Sequence, residues 1–405
     1  MILTERRNKI FLIGNGFDLA HGLPTRYIDF IKWYLKECCL KAIEKTVYYD
    51  DCINIQFYKS PHFVSINSIP DMIEQIYQSG DILDFLNNPT YSKGLNDFKE
   101  LTEGLMLKIE PKGDFCLNLF MGCQDADWSG IEYEINRIML KEHHNLSEKR
   151  TEILINRKGS RLYGQSLARI RDLNKSIYLL KSMLIEYLKL HNTPSKYKAD
   201  LILSHHNDWG ASYTADGGFV YRGDNIMTYS YKDVERQVLF LNFNYTTYFE
   251  SEIVKVFKDH LEDQFTQSET LYIHGHLNSD TDNIVFGVGD ENKEIYSEIE
   301  SLYDDDWLVP LKSFHYFRNE KYQQLLGFIA NGDYEIYVIG HSCSTTDRTL
   351  LNMLFENDAC KKIHVYHYSG INSYLTTAYN IARNFNDKVK LRKILQPFNP
   401  DLTTK

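Results

Sequence analysis

The run Lys9-Ile10-Phe11-Leu12-Ile13 stops at Gly14-Asn15-Gly16. Five residues of that kind are too few for a buried helix. Their lack of alternation suits a strand covered on both faces, as in a parallel sheet. Helical spacing follows within Tyr27–Leu40, at Phe30, Tyr34, Leu35 and Cys38. Strand, glycine turn and helix in that order are the opening unit of an α/β fold.

The pattern resumes far along the chain. Val238–Asn242, Thr270–His274, Tyr334–Ile339 and Ile363–Tyr368 read as strands, with helices expected over Tyr245–Phe257, Asp347–Phe355 and Tyr374–Phe385 and a last strand over Val389–Ile394. Between the two parts, Asp71–Tyr77, Gly80–Leu86, Leu95–Ile109, Ile131–Leu140 and Gly164–Leu190 carry helical periodicity, and Gly- and Asp-rich His205–Asp224 reads as a loop. The expectation is an α/β fold: a parallel-sheet core over 1–40 and 236–405, interrupted by a large, mostly helical insertion over 41–235.

Composition narrows the function. Forty-five basic residues against 55 acidic ones give a net charge of −10. That balance argues against a nucleic-acid coat, which needs phosphate neutralisation, but permits a small anionic ligand. Seven cysteines without a CxxC argue against a disulfide framework or a cysteine zinc module, and fit free thiols in a cytoplasmic chain. No apolar run approaches the length of a membrane helix, and no signal peptide is evident. The dispersed histidines, His205, His206 and His276, lack metal-ligand spacing, so no metal is expected.

Four strand ends carry polar or glycine-rich segments: Gly14-Asn-Gly-Phe-Asp18, Phe243-Asn244-Tyr-Thr246, Ile273-His274-Gly275-His276, and Gly340-His-Ser342 through Asp347. In open parallel sheets that edge receives ligands. A Gly-x-Gly turn lets the backbone approach a phosphate, although the third glycine stands at 22, outside the dinucleotide fingerprint. The alternatives are structural. The turn is then a tight turn, Asn244, Ser342 and Asp347 are helix caps, and His274 is a hydrogen-bonded core histidine. Trp128 and Glu132 share one helix face, Glu132 as an acid or as a solvated residue.

Gly14-Asn-Gly-Phe-Asp-x-x-x-Gly22-Leu-Pro24 resembles the sirtuin opening Gly-Ala-Gly-x-Ser-x-x-x-Gly-Ile-Pro. The full set, with Asn-Phe-Asn-Tyr-Thr, Ile-His-Gly and Ile-Gly-His-Ser, is similar to the AbiH family of phage abortive-infection proteins. The resemblance implies a Rossmann-like, sirtuin-like core and a role in phage defence. It implies NAD as substrate or ligand, cleaved at the nicotinamide–ribose bond. Asn244 would position water or ribose, and His274 would be the general base or hold a ribose hydroxyl. Gly14, Asn15, Gly16, Phe17 and Asp18 would line the phosphates and ribose, and Gly340, Ser342 and Asp347 the remainder, with Ser342 on the adenosine side. A homo-oligomer is implied by resemblance alone. Two departures count against deacylation: Thr246 stands where sirtuin deacylases carry an acid, and the zinc cysteines are missing. Asp18 replaces the serine of the opening. The alternative function is a non-catalytic nucleotide-sensing module acting through a partner or assembly. A nuclease or another nucleotide hydrolase is disfavoured by weak basic character and the lack of carboxylates clustered at metal-ligand spacing.

Overall fold

The computed structural model describes residues 7–59, 99–102, 105–121, 128–147, 161–193, 219–222, 225–228, 237–250, 267–278, 284–289 and 293–403. Its strands are β1 (Asn8–Ile13), β2 (Val47–Tyr49), β3 (Ile53–Lys59), β4 (Lys99–Thr102), β5 (Leu105–Pro111), β6 (Phe219–Arg222), β7 (Asn225–Thr228), β8 (Gln237–Asn242), β9 (Gln267–Tyr272), β10 (Tyr334–Ile339) and β11 (Cys360–Val365). The helices used below are α1 (Asn15–Ala20), α2 (Tyr27–Lys45), α3 (Gly113–Met121), α4 (Trp128–Ser147), α5 (Arg161–Leu190), α6 (Lys293–Glu300), α7 (Lys321–Ala330), α8 (Arg348–Glu356), α9 (Ile371–Asn384) and α10 (Lys388–Ile394). Two compact units emerge: Met1–Pro24, His191–Val285 and His315–Lys405 in the first, Thr25–Leu190 and Phe286–Phe314 in the second.

The first unit is built on a five-stranded sheet in the order β11-β10-β1-β8-β9. Every pairing is parallel: Ile10 lies opposite Ile336 of β10 and Leu239 of β8. Alternation of side chains explains the sequence of β1. Ile10 and Leu12 enter one core cluster with Leu239, Leu241, Ile336 and Val338, completed by Leu325 of α7, Leu354 of α8 and Ile381 of α9. Phe11 and Ile13 enter the other, with Phe240, Tyr337, Phe17 and Phe249. Both faces are buried, so both registers must be apolar. The chain leaves β1 for β8 and β9 on one side, then returns to β10 and β11 on the other. The order therefore reverses between β1 and β10, and the crevice outside such a reversal is where parallel sheets bind ligands.

The second unit differs from the helical expectation. It carries α2, α4 and α5, but also an antiparallel sheet in the order β2-β3-β5-β4. Leu95–Ile109, expected as helix, supplies β4 and most of β5. Leu101, Leu105 and Ile109 fit helical spacing, but Leu105, Leu107 and Ile109 equally fit an alternating strand. Pairing with β3, whose Ile53, Ile55 and Phe57 are buried, selects the strand. α2 belongs to this unit: Phe30 packs on Trp128 of α4 and Tyr187 of α5, with ring centroids 6.1 and 5.9 Å apart.

A second correction falls at the C-terminal end. Val389–Ile394, expected as strand, is helix α10. The Asp387 carboxylate caps it, accepting from the amides of Val389 at 2.8 Å and Lys390 at 3.0 Å. Within His205–Asp224, residues 219–222 pair antiparallel with β7, and the other residues lie outside the described set. Asp71–Tyr77 and Gly80–Leu86 also lie outside it, and the helix expected over Tyr245–Phe257 is described only to residue 250. Among the described residues the six cysteines are free and buried, and no helix is long and apolar enough to cross a membrane.

Candidate functional site

All five parallel strands end on one edge, so Gly14, Phe243-Asn244, Ile273-His274 and Gly340-His341 emerge there together. The β1 and β10 turns interlock. The Gly14 amide donates to Ile339 O at 3.0 Å, and the Gly16 amide to Gly340 O at 2.8 Å. A Cβ on Gly14 would stand 2.4 Å from His341 Cα, and one on Gly340 would stand 2.3 Å from the Phe17 nitrogen. Gly340 also has φ of 66°, a conformation costly to other residues. Gly340→Ala is accordingly expected to destabilise the first unit by about 3 kcal/mol, positive-φ strain adding to backbone overlap. Denaturant melts measure this, and a change below about 1 kcal/mol would contradict it.

Two side-chain clusters lie on this edge. The first joins α1 to the β8 end. Thr246 donates its hydroxyl to Asp18 Oδ2 at 2.7 Å. Asn244 donates its side-chain amide to Gly14 O at 3.1 Å, while Asn242 Oδ1 accepts from its backbone amide at 2.9 Å. Asp18 is 1% exposed and its Oδ1 has no hydrogen-bond partner. Burial pushes its carboxyl up to about 7, and the neighbouring Thr246 and Asn244 side chains offset only part of that rise.

The second cluster joins the β9 and β10 ends. His274 Nε2 lies 3.3 Å from Asp347 Oδ1 and 3.4 Å from the Tyr316 hydroxyl. His341 Nε2 faces the other oxygen, Asp347 Oδ2, at 3.7 Å. His341 Nδ1 accepts from the Cys343 amide at 3.0 Å, which places the neutral ring's proton on Nε2, toward the carboxylate. One carboxylate thus serves two buried imidazoles. The Phe243 ring packs against both imidazoles of this cluster, with centroid distances of 5.2 Å to His274 and 4.1 Å to His341. Among the described residues no set of three His, Cys, Asp or Glu is arranged to hold a metal ion.

The family described as Bacteriophage abortive infection AbiH matches residues 10–368, a span that contains every one of these strand ends. The chain belongs to the AbiH family. Neither the curated proteins nor the solved structures give a match to it.

In this AbiH chain, Asn244, His274, Asp18 and Asp347 all enter the two clusters. The other expected residues are placed as follows. Phe17 is buried among His21, Tyr248 and Phe249. Ser342 is exposed, and its carbonyl accepts from the Asn380 side chain at 2.9 Å. The Gly16 amide is occupied by Gly340 O, and the Phe17 amide by Gly14 O at 2.9 Å. Asn15 is half-buried. His341 and Tyr316 were not legible as site residues. His341 had one signal, its place beside the strand-end glycine of β10. Tyr316 had none, because its partner His274 lies 42 positions away. Glu132, in the second unit, is no solvated helix residue: its carboxylate pairs with buried Lys312 at 2.5 Å.

Proposed function

We propose that the first unit is a Rossmann-like, distantly sirtuin-like core that binds NAD and hydrolyses its nicotinamide–ribose bond in abortive infection. The observation that carries this reading is the His274–Asp347 pair standing at the strand-end edge of the β11-β10-β1-β8-β9 parallel sheet, with Asn244 fixed on the adjacent strand end. Family membership supports the defence role.

The chemistry follows from the side chains. Asp347 beside Nε2 favours the tautomer with its proton on Nε2 and orients the ring. The ribose C1′–nitrogen bond breaks and its electron pair leaves with nicotinamide. A water oxygen bonds to C1′, and the proton it sheds passes to His274. Asn244 orients the water or a ribose hydroxyl. The glycine turn contributes shape rather than amides: a phosphate placed on it would have to displace the Gly16–Gly340 hydrogen bond.

Purified protein, with and without extract of phage-infected cells, is expected to convert NAD to equal amounts of nicotinamide and ADP-ribose. His274→Ala should slow this by about a hundredfold or more, the usual worth of a general base. Protein that protects cells while leaving NAD intact would sink the hydrolase reading. Tight nucleotide binding with Asn244→Ala and His274→Ala still protective would point to sensing without turnover.

A further inference from the structure

Two departures from the sirtuin pattern sit far apart in sequence. Position 18 carries a carboxyl in place of serine, and position 246 carries a hydroxyl in place of an acid. In the fold they are partners: Thr246 donates to Asp18 Oδ2 at 2.7 Å, across 228 positions. Carboxyl and hydroxyl have exchanged carriers, and the acid reaches the β8 end from α1.

A second observation gives the pair a direction. Asp18 is 1% exposed, yet its Oδ1 has no donor. Buried polar atoms are nearly always paired, and an unpaired acceptor is a standing penalty unless a ligand supplies the missing hydrogen. Asn244, fixed on Gly14 O, stands beside this carboxyl and contributes to its environment. From this geometry we propose that Asp18 is the acid of the site, its Oδ1 accepting a ribose hydroxyl of the bound nucleotide while Thr246 holds Oδ2.

The assignment rests on the nucleotide reading above and specifies which end of the ligand the α1 side holds: the sugar. A carboxyl pushed up to about 7 by burial is readily drawn into its anionic form by a ligand that carries a cationic ring on the same ribose. The same anion disfavours a sugar that carries a phosphate in place of that hydroxyl, since two negative groups would meet in a buried place. The ligand class is therefore a ribonucleotide with an unmodified ribose on the reacting side.

The test measures nicotinamide release from NAD by wild type, Asp18→Asn, Asp18→Thr, and the transposed pair Asp18→Thr with Thr246→Asp, each beside a thermal melt. Asp18→Asn is expected to lose about a hundredfold in rate while melting no lower than wild type. The transposed pair is expected to recover about tenfold over Asp18→Thr alone, because it returns a carboxyl and a hydroxyl to the same place. An Asp18→Asn rate within about threefold of wild type overturns the assignment. So does a folded transposed pair no faster than Asp18→Thr. If wild type itself leaves NAD intact, the nucleotide reading has failed and this assignment falls with it. An active wild type beside an equally active Asp18→Asn removes the assignment alone.

Discussion

Asp18→Asn is expected to make the first unit more stable at pH 8, by on the order of 4 kcal/mol. The carboxyl is buried, and its pKa rises from 3.8 to about 7. An unfolded chain releases that proton near 3.8. Between the two values the native state therefore holds a proton that the unfolded state has lost. Stability is fully present below about 4, falls as pH rises through the window, and levels off above about 7. The largest cause is burial, opposed by Thr246 and Asn244, and no charged side chain is among the causes. Asparagine is close in shape and does not titrate, so it removes the penalty without opening a cavity. The measurement is denaturant unfolding of wild type and Asp18→Asn at several pH values from 4 to 8. The difference between the two should widen with pH. A constant difference, or a variant less stable than wild type at pH 8, would contradict it. A side chain whose removal stabilises the fold is retained for another reason, and loss of activity by the same variant could not then be blamed on misfolding.

The sheet was legible because both faces of its strands are buried. Ile10 to Ile13 and Val238 to Leu241 must be apolar throughout, and no other common element asks for that over so short a run. The strand-end motifs were legible for a related reason, since glycine and polar residues stop such runs where the sheet meets its ligand edge. The antiparallel sheet of the second unit was not. Leu101, Leu105 and Ile109 satisfy a helix, and only the pairing with β3 decides otherwise. α10 turned on one cap: Asp387 outweighed the alternation of Val389 and Leu391, and Val389 ended exposed. Within the site, sequence presented Asp18 and Thr246 as two separate anomalies. Their meeting depends on β1 and β8 being neighbours, a long-range fact that no local pattern contains.

Glu132→Ala is expected to destabilise the second unit by about 3–5 kcal/mol, far beyond the effect of an exposed helix residue. Helical spacing alone placed Glu132 one turn from Trp128 and left its surroundings open. The structure settles the environment of both. Trp128 stacks on Phe30 and donates its indole N–H to Thr25 O at 2.9 Å, which fixes the start of α4. Glu132 then meets Lys312, whose side chain is only 4% exposed and whose backbone amide donates to Val288 O at 2.8 Å. Truncating the acid leaves an ammonium in a low-dielectric place without its carboxylate, and desolvation then dominates. Replacing both partners by apolar residues of similar size, Glu132→Leu with Lys312→Met, removes the two charges together and should recover most of the loss. Denaturant unfolding of the single and double variants separates the terms. A single variant costing under about 1 kcal/mol would place the pair among solvent-screened surface bridges. A double variant no better than the single would show that packing around the side chains matters more than the charge left behind.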